Sequence, residues 1–158
     1  MSNLDLLLKR LAETGQATHD YFAGLTADQL ACTIYVDPLW STRDILAHLI
    51  TTERAIRPLI LAIAHGDPGA PPGYDIDAAN ARLLAGMQDQ AVPDLLAAWT
   101  AERATTIEAY RVLEPAHLES RGRHPFLGET TVSDMIQLMY RHEMLHTRDI
   151  RRSVERGA

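Results

Sequence analysis

The sequence predicts an all-α fold built as a four-helix bundle. Long segments repeat apolar residues at steps of three and four, the period of a helix buried on one face. No Val/Ile-rich alternating run marks a sheet strand. The 158 residues suit one domain, 1–158, and their 46% hydrophobic and 23% charged content is that of a chain with a real core.

The first helix is expected from about Asn3 to Leu25, with Leu4, Leu8, Leu11, Thr18, Phe22 and Leu25 as its inward stripe. A short capped turn follows at Thr26–Leu30, where Thr26 and Gln29 have capping-box spacing. CTIYVDPLW then reads as extended, ended by Pro38. The second helix starts from a Ser41 cap with Asp44 at its third position and stops at Gly66. Ile45, His48, Thr52, Ile56, Leu59 and Ile63 share one of its faces, and Pro58 is a place for a kink. GDPGAPPGYD is a loop.

The third region runs from Ile76 to Leu113, broken before Pro93, which fits the first turn of a renewed helix. Leu95, Trp99, Thr106, Tyr110 and Leu113 form its stripe. EPAHLESRGRHPFLGET reads as a long connection, and the fourth helix spans about Thr131 to Val154. The sequence shows no internal repeat and no low-complexity segment.

The formal net charge is -6, which argues against a nucleic-acid backbone as partner. Cys32 is the single cysteine, so neither an internal disulfide nor a CxxC metal site is available. MSNLDLLLKR has no long apolar run behind a basic segment, and no apolar stretch reaches membrane-spanning length. The expectation is a cytoplasmic protein that meets neither membrane nor nucleic acid.

The strongest chemical signal is RHEMLHTRD. His142 and His146 stand one helical turn apart, ~40° around the axis, so both imidazoles can reach one divalent cation. They also lie on the inward stripe Val132, Met135, Met139, His142, His146, Ile150. A buried neutral imidazole needs a partner for each ring nitrogen, and a metal satisfies one of them. His48 sits on the second helix's stripe in the same way. Three histidines from two helices leave a coordination position open, as catalytic zinc sites do.

Plainer readings stand beside each residue. A lone core histidine is more often hydrogen-bonded than metal-bound, and HExxH arises by chance on helices. Glu143 is a candidate general base, but ~100° from His142 it can equally face solvent or bond to Thr147. Asp149 can orient His146 or pair with Arg152. Asp44 can support His48 or act only as a cap. His19, His65, His117 and His124 are weaker candidates, the last three read as solvated in or beside loops, and Trp40, Trp99, Met135 and Met139 read as core.

The stretch WSTRDILAHL (Trp40–Leu49), Glu53, Asn80 and the string from His142 to Ile150 together resemble the DinB-like (YfiT-like) metalloenzyme superfamily over nearly the whole chain. The resemblance implies an up-down-down-up four-helix bundle, often dimeric. It implies a divalent metal, zinc or nickel, on His48, His142 and His146. Some such proteins are thiol-dependent S-transferases or isomerases using low-molecular-weight thiols.

Three functions follow for testing. The first is a metal-dependent transferase or hydrolase acting on a small-molecule substrate, with the metal activating a bound thiol or water. The second is a non-catalytic metal or small-ligand binder of the stress-response kind. The third, a zinc peptidase, fits poorly: Asp149 and Arg152 stand where the extended peptidase motif needs glycine and histidine. Loops 66–75 and 115–130 are the expected pocket walls, and Cys32 has no basic neighbours to activate it.

Overall fold

The computed structural model describes residues 1–157. Four long helices carry the fold: α1 (Asn3–Ala23), α3 (Thr42–Ala64), α5 (Val92–Tyr110) and α7 (Val132–Arg156). Shorter pieces join them: α2 (Ala27–Ala31), the hairpin β1 (Thr33–Val36) and β2 (Leu39–Ser41), α4 (Ile76–Ala85), α6 (Pro115–Glu119), and the hairpin β3 (Arg121–His124) and β4 (Gly128–Thr131).

The helix starts follow local chemistry. The hydroxyls of Ser2, Thr26, Ser41 and Thr131 each accept the backbone N–H three residues on, satisfying a donor that the helix leaves orphaned. Asp44 closes the Ser41 capping box, so it serves the cap and not His48. Pro93 sits in the first turn of α5, while Pro58 lies inside α3, which runs on to Ala64.

Contacts between helices set their directions. Trp99 Nε1 donates to Gly15 O at 2.9 Å and Arg103 to Leu11 O at 2.7 Å, so α1 and α5 are antiparallel. Arg43 near the start of α3 reaches the carbonyls of Met87, Gln88 and Gln90, just before α5, and Arg57 reaches Glu102 and Thr106, so α3 and α5 run together. Ser120 Oγ, ahead of α7, bonds to Ala64 O at the end of α3, which makes that pair antiparallel. The result is the up-down-down-up order that the family resemblance implied. Two apolar clusters fill the bundle. One is centred on Leu11, Ile60, Tyr110 and Met135, the other on Phe22, Ile45, Leu95 and Trp99.

Three expectations need correction. The inward stripe of α1 is Leu7, Leu11, Gly15, Thr18 and Phe22, with Leu4 and Leu8 only partly buried. Leucines at 4, 6, 7 and 8 made the phase of that stripe ambiguous. The second correction is that CTIYVDPLW and the long 114–130 connection each hold a two-stranded antiparallel hairpin. Their strands are three or four residues long and do not alternate in polarity, so no period-2 signal exists to find. The second hairpin turns at Gly128, whose φ of +74° is open to glycine.

The third correction concerns repetition. The order long helix, short helix, hairpin, long helix occurs twice, as α1-α2-β1-β2-α3 and as α5-α6-β3-β4-α7. The joints match in detail. Thr42 N donates to Cys32 O, and Val132 N to Ser120 O, each at 2.9 Å. Asp44 and Asp134 take the same place in the first turns of α3 and α7. Glu53 is the twelfth residue of α3, and Glu143 the twelfth of α7. Too few identities survive between the halves for the repeat to show in the sequence.

Candidate metal centre

His48, His142 and His146 converge on one point between α3 and α7. Their ring centroids lie 5.1 Å apart for His48–His142, 5.3 Å for His48–His146 and 4.4 Å for His142–His146. The Nε2 atoms face one another: His48 to His142 at 3.2 Å and His146 to His142 at 2.8 Å. Around one ion with N–metal distances of about 2.0–2.1 Å, ligand nitrogens stand about 2.9–3.4 Å apart for right-angled to tetrahedral geometry. The cluster is therefore already near ligand spacing.

Helix geometry produces this convergence. His142 and His146 project from adjacent turns of α7. His48 is the seventh residue of α3, and the antiparallel pairing brings it level with them. Trp40, on β2, packs against the His48 ring with centroids 4.6 Å apart. His48 and His146 are 4% and 8% exposed, whereas His142 is only half-buried, so the cluster has one accessible side.

A hydroxyl that sequence reasoning missed orients His146. Tyr35 Oη, on β1, donates to Asp149 Oδ2 at 2.8 Å and lies 2.9 Å from His146 Nδ1. With its proton on Asp149, the Tyr35 oxygen accepts from His146 Nδ1–H. That tautomer leaves the Nε2 lone pair aimed at the cluster. Asp149 thus orients His146 through Tyr35, and its ion pair is with Arg148. Tyr35 lies in a segment with no recognisable motif, so only the fold reveals it. Phenylalanine at Tyr35 is expected to weaken divalent-metal binding about 10–100-fold with little change in melting temperature. Chelator competition measures this, and unchanged affinity would remove Tyr35 from the site.

The electrostatics favour neutral ligands. Burial, with the neighbouring His146, pushes His48 down to about 3. Burial likewise lowers His146 to about 4 against the opposing pull of Asp149, and burial with the three nearby histidines holds His142 well below its usual value. All three are neutral at pH 7, as metal ligands must be. The bare cluster is poorly satisfied. A ring nitrogen offers one N–H or one lone pair, so His142 Nε2 cannot make good bonds to both neighbours. A cation at the centre satisfies all three, so the residues present fit a bound divalent ion.

The remaining candidates fall elsewhere. Glu143 is fully buried. Its carboxylate accepts from Arg103 Nη1 at 2.9 Å, Thr14 Oγ1 at 2.8 Å and Thr18 Oγ1 at 2.9 Å. It meets α1 and α5, while Thr147 bonds only to its backbone oxygen. His124 was expected to be solvated but is 4% exposed, its Nδ1 accepting from Phe126 N and Leu127 N. The 66–75 loop packs on β3 through Ala70 N and Arg123 O, and the first hairpin, with Tyr35 and Trp40, walls the triad instead. A groove of about 700 Å³ between α1 and α7 contains none of the three histidines in its lining. No helix among the described residues is long and apolar enough to cross a membrane.

The DinB superfamily model matches residues 7–150. The chain belongs to the DinB superfamily. No curated protein matches it. Among solved structures, YfiT from Bacillus subtilis, described as a probable metal-dependent hydrolase with an unusual four-helix bundle topology, superposes with a TM-score of 0.76 at 18% identity. That match covers 97% of this chain and 86% of YfiT. A mycothiol-dependent maleylpyruvate isomerase superposes with a TM-score of 0.76 at 14% identity, covering 93% of this chain. The DinB-superfamily chain spans 60% of that isomerase's length. At these identities the likeness establishes the four-helix fold.

Proposed function

We propose that this DinB-superfamily protein is a metal-dependent enzyme acting on a small molecule, with one divalent ion, zinc or nickel, held by His48, His142 and His146. The observation that carries the reading is the convergence of three neutral imidazole nitrogens with one side open. When bound, the ion lowers the pKa of a thiol or water at its open position and holds the resulting anion. Tyr35 and Asp149 hold the His146 tautomer, and Trp40 shields His48 from water. Burial and Asp149 push the Tyr35 hydroxyl well above its ordinary value, so it stays protonated and serves orientation. Glu143, with both carboxylate oxygens engaged inside the bundle, enters this reading as a structural group and not as the proton carrier.

A low-molecular-weight thiol is the first cosubstrate in this reading, supported by the isomerase of like fold. Water is the second, supported by YfiT, whose length this chain matches more closely. Cyclic homodimers are the commonest assembly, and a dimer is the form proposed here. The free Cys32 suits the reducing cytoplasm.

The test loads the protein with Co²⁺ and titrates mycothiol, then glutathione, following the visible and near-ultraviolet spectrum. A thiolate-to-cobalt charge-transfer band with faster displacement of chloride from chlorodinitrobenzene by the thiol is the expected result. No band with either thiol removes the thiol reading and leaves hydrolysis, assayed with nitrophenyl esters. Bound metal without turnover in either assay leaves the non-catalytic binder.

A further inference from the structure

We propose that Arg103 is a positioning residue for the metal-binding face of α7, acting through Glu143. The proposal rests on the metal reading for its function, and on the geometry of one buried guanidinium for its cause.

Arg103 projects from α5 and is 4% exposed. Its Nε and Nη2 bond to the two oxygens of Glu53 on α3 at 2.9 and 3.2 Å. Its Nη1 bonds to Glu143 on α7 at 2.9 Å and to Leu11 O on α1 at 2.7 Å. One side chain thus ties all four long helices. Room for it comes from Gly15: a Cβ there would stand 2.8 Å from Arg103 Cγ. The Trp99 ring covers the guanidinium at 4.7 Å.

Glu53 and Glu143 hold equivalent places in the two halves of the chain, so Arg103 sits where the halves meet. Each glutamate is on a helix that carries the triad. Glu143 directly follows His142 and precedes His146 by three residues. Arg103, Thr14 and Thr18 pin its carboxylate toward α1 and α5, and this fixes the rotation of α7 about its own axis. A 20° rotation moves a side chain at the helix surface by about 2 Å, given an outer radius of 5–6 Å. Metal ligation tolerates only tenths of an ångström to about half an ångström. The bidentate hold on Glu53 does the same for α3 and His48.

A buried ion pair is a poor source of stability, since an apolar substitute of like volume is often neutral or better. A fork of fixed N–H directions is a good source of geometry. Arg103 therefore contributes more to register than to folding.

Two variants test this. Glu53→Gln/Arg103→Met/Glu143→Gln removes the charges together and leaves no buried charge unpaired, and Arg103→Lys keeps the charge but loses the fork. Three readouts are taken: thermal melting, Zn²⁺ affinity by chelator competition, and long-range ¹H–¹⁵N spectra of the imidazoles without metal. The neutral triple variant is expected to melt within a few degrees of the parent yet bind Zn²⁺ about 10–100-fold more weakly, with its imidazole tautomers redistributed. Arg103→Lys is expected to fall between. A folded triple variant with parental affinity and parental imidazole spectra overturns the proposal. If the triple variant does not fold, Arg103→Lys decides by the same two readouts. If the parent binds no Zn²⁺, the metal reading fails by itself, and the imidazole spectra alone decide whether Arg103 sets the rings.

Discussion

Alanine at both His142 and His146 is expected to abolish divalent-metal binding and leave a folded bundle. Two of the three converging nitrogens go, and the survivor, His48, has no other metal-ligand group in its cluster among the described residues. A bound structural zinc is worth about 10–16 kcal/mol from four ligands, so each ligand carries on the order of 2.5–4 kcal/mol, and two removals cost roughly 10⁴-fold or more. Folding responds in the opposite sense. The metal-free cluster packs three nitrogens that cannot all be satisfied, so its removal costs the apo bundle little. The parent should melt higher with added Zn²⁺, by mass action, whereas the double variant should not. Elemental analysis and paired melting curves measure both effects. One ion per chain retained in the double variant would sink the ligand assignment.

Acid is expected to unfold the metal-free protein steeply between about pH 6.5 and 4. An unfolded histidine titrates near 6.5. Burial holds His124 at about 4, burial with the neighbouring His146 holds His48 at about 3, and burial holds His146 at about 4 against the opposing pull of Asp149. The folded values lie below the unfolded one. Their contribution is therefore fully present above about pH 6.5 and is lost as pH falls toward the folded values. For His124 alone the pH-dependent loss is about 3 kcal/mol, from 1.36 kcal/mol per pK unit. Adding the triad makes the loss comparable to the 5–15 kcal/mol that holds a typical domain together. Urea unfolding at pH 7, 5.5 and 4.5 follows this directly. His124→Asn offers a test of its share, since an amide oxygen can replace Nδ1 as acceptor for Phe126 N and Leu127 N without taking up a proton. That variant should lose less stability on acidification than the parent. An identical pH slope in the two proteins would deny His124 its role.

Much of the bundle was legible from residue order. The Ser41 cap, the start of the fourth helix near Thr131, the break before Pro93 and the stripe from Leu95 to Leu113 all stand where spacing put them. These features are local: a cap or a stripe is decided by residues within one or two turns. The alternation of charged and apolar residues also placed His48, His142 and His146 inward without any knowledge of packing. Arg103 left a readable trace as well, since it falls between Trp99 and Thr106 on the buried face of α5. A charged residue on such a stripe signals a buried partner, though it does not name one.

By itself, the sequence determined the four long helices, the buried face of α5 and the inward placement of the three histidines, because each rests on periodicity and short-range hydrogen bonds. Only the tertiary structure decided that α3 and α7 run antiparallel, which brings His48 level with His142 and His146. It alone placed Tyr35 on His146 and turned Glu143 toward Arg103. It also revealed the two hairpins and the doubled order of elements. The hairpins are local but too short to show a period; the side-chain contacts of Tyr35, Glu143 and Arg103 join residues 40 to 130 positions apart, and neither composition nor period carries the relative rotation and register of helices that such contacts set.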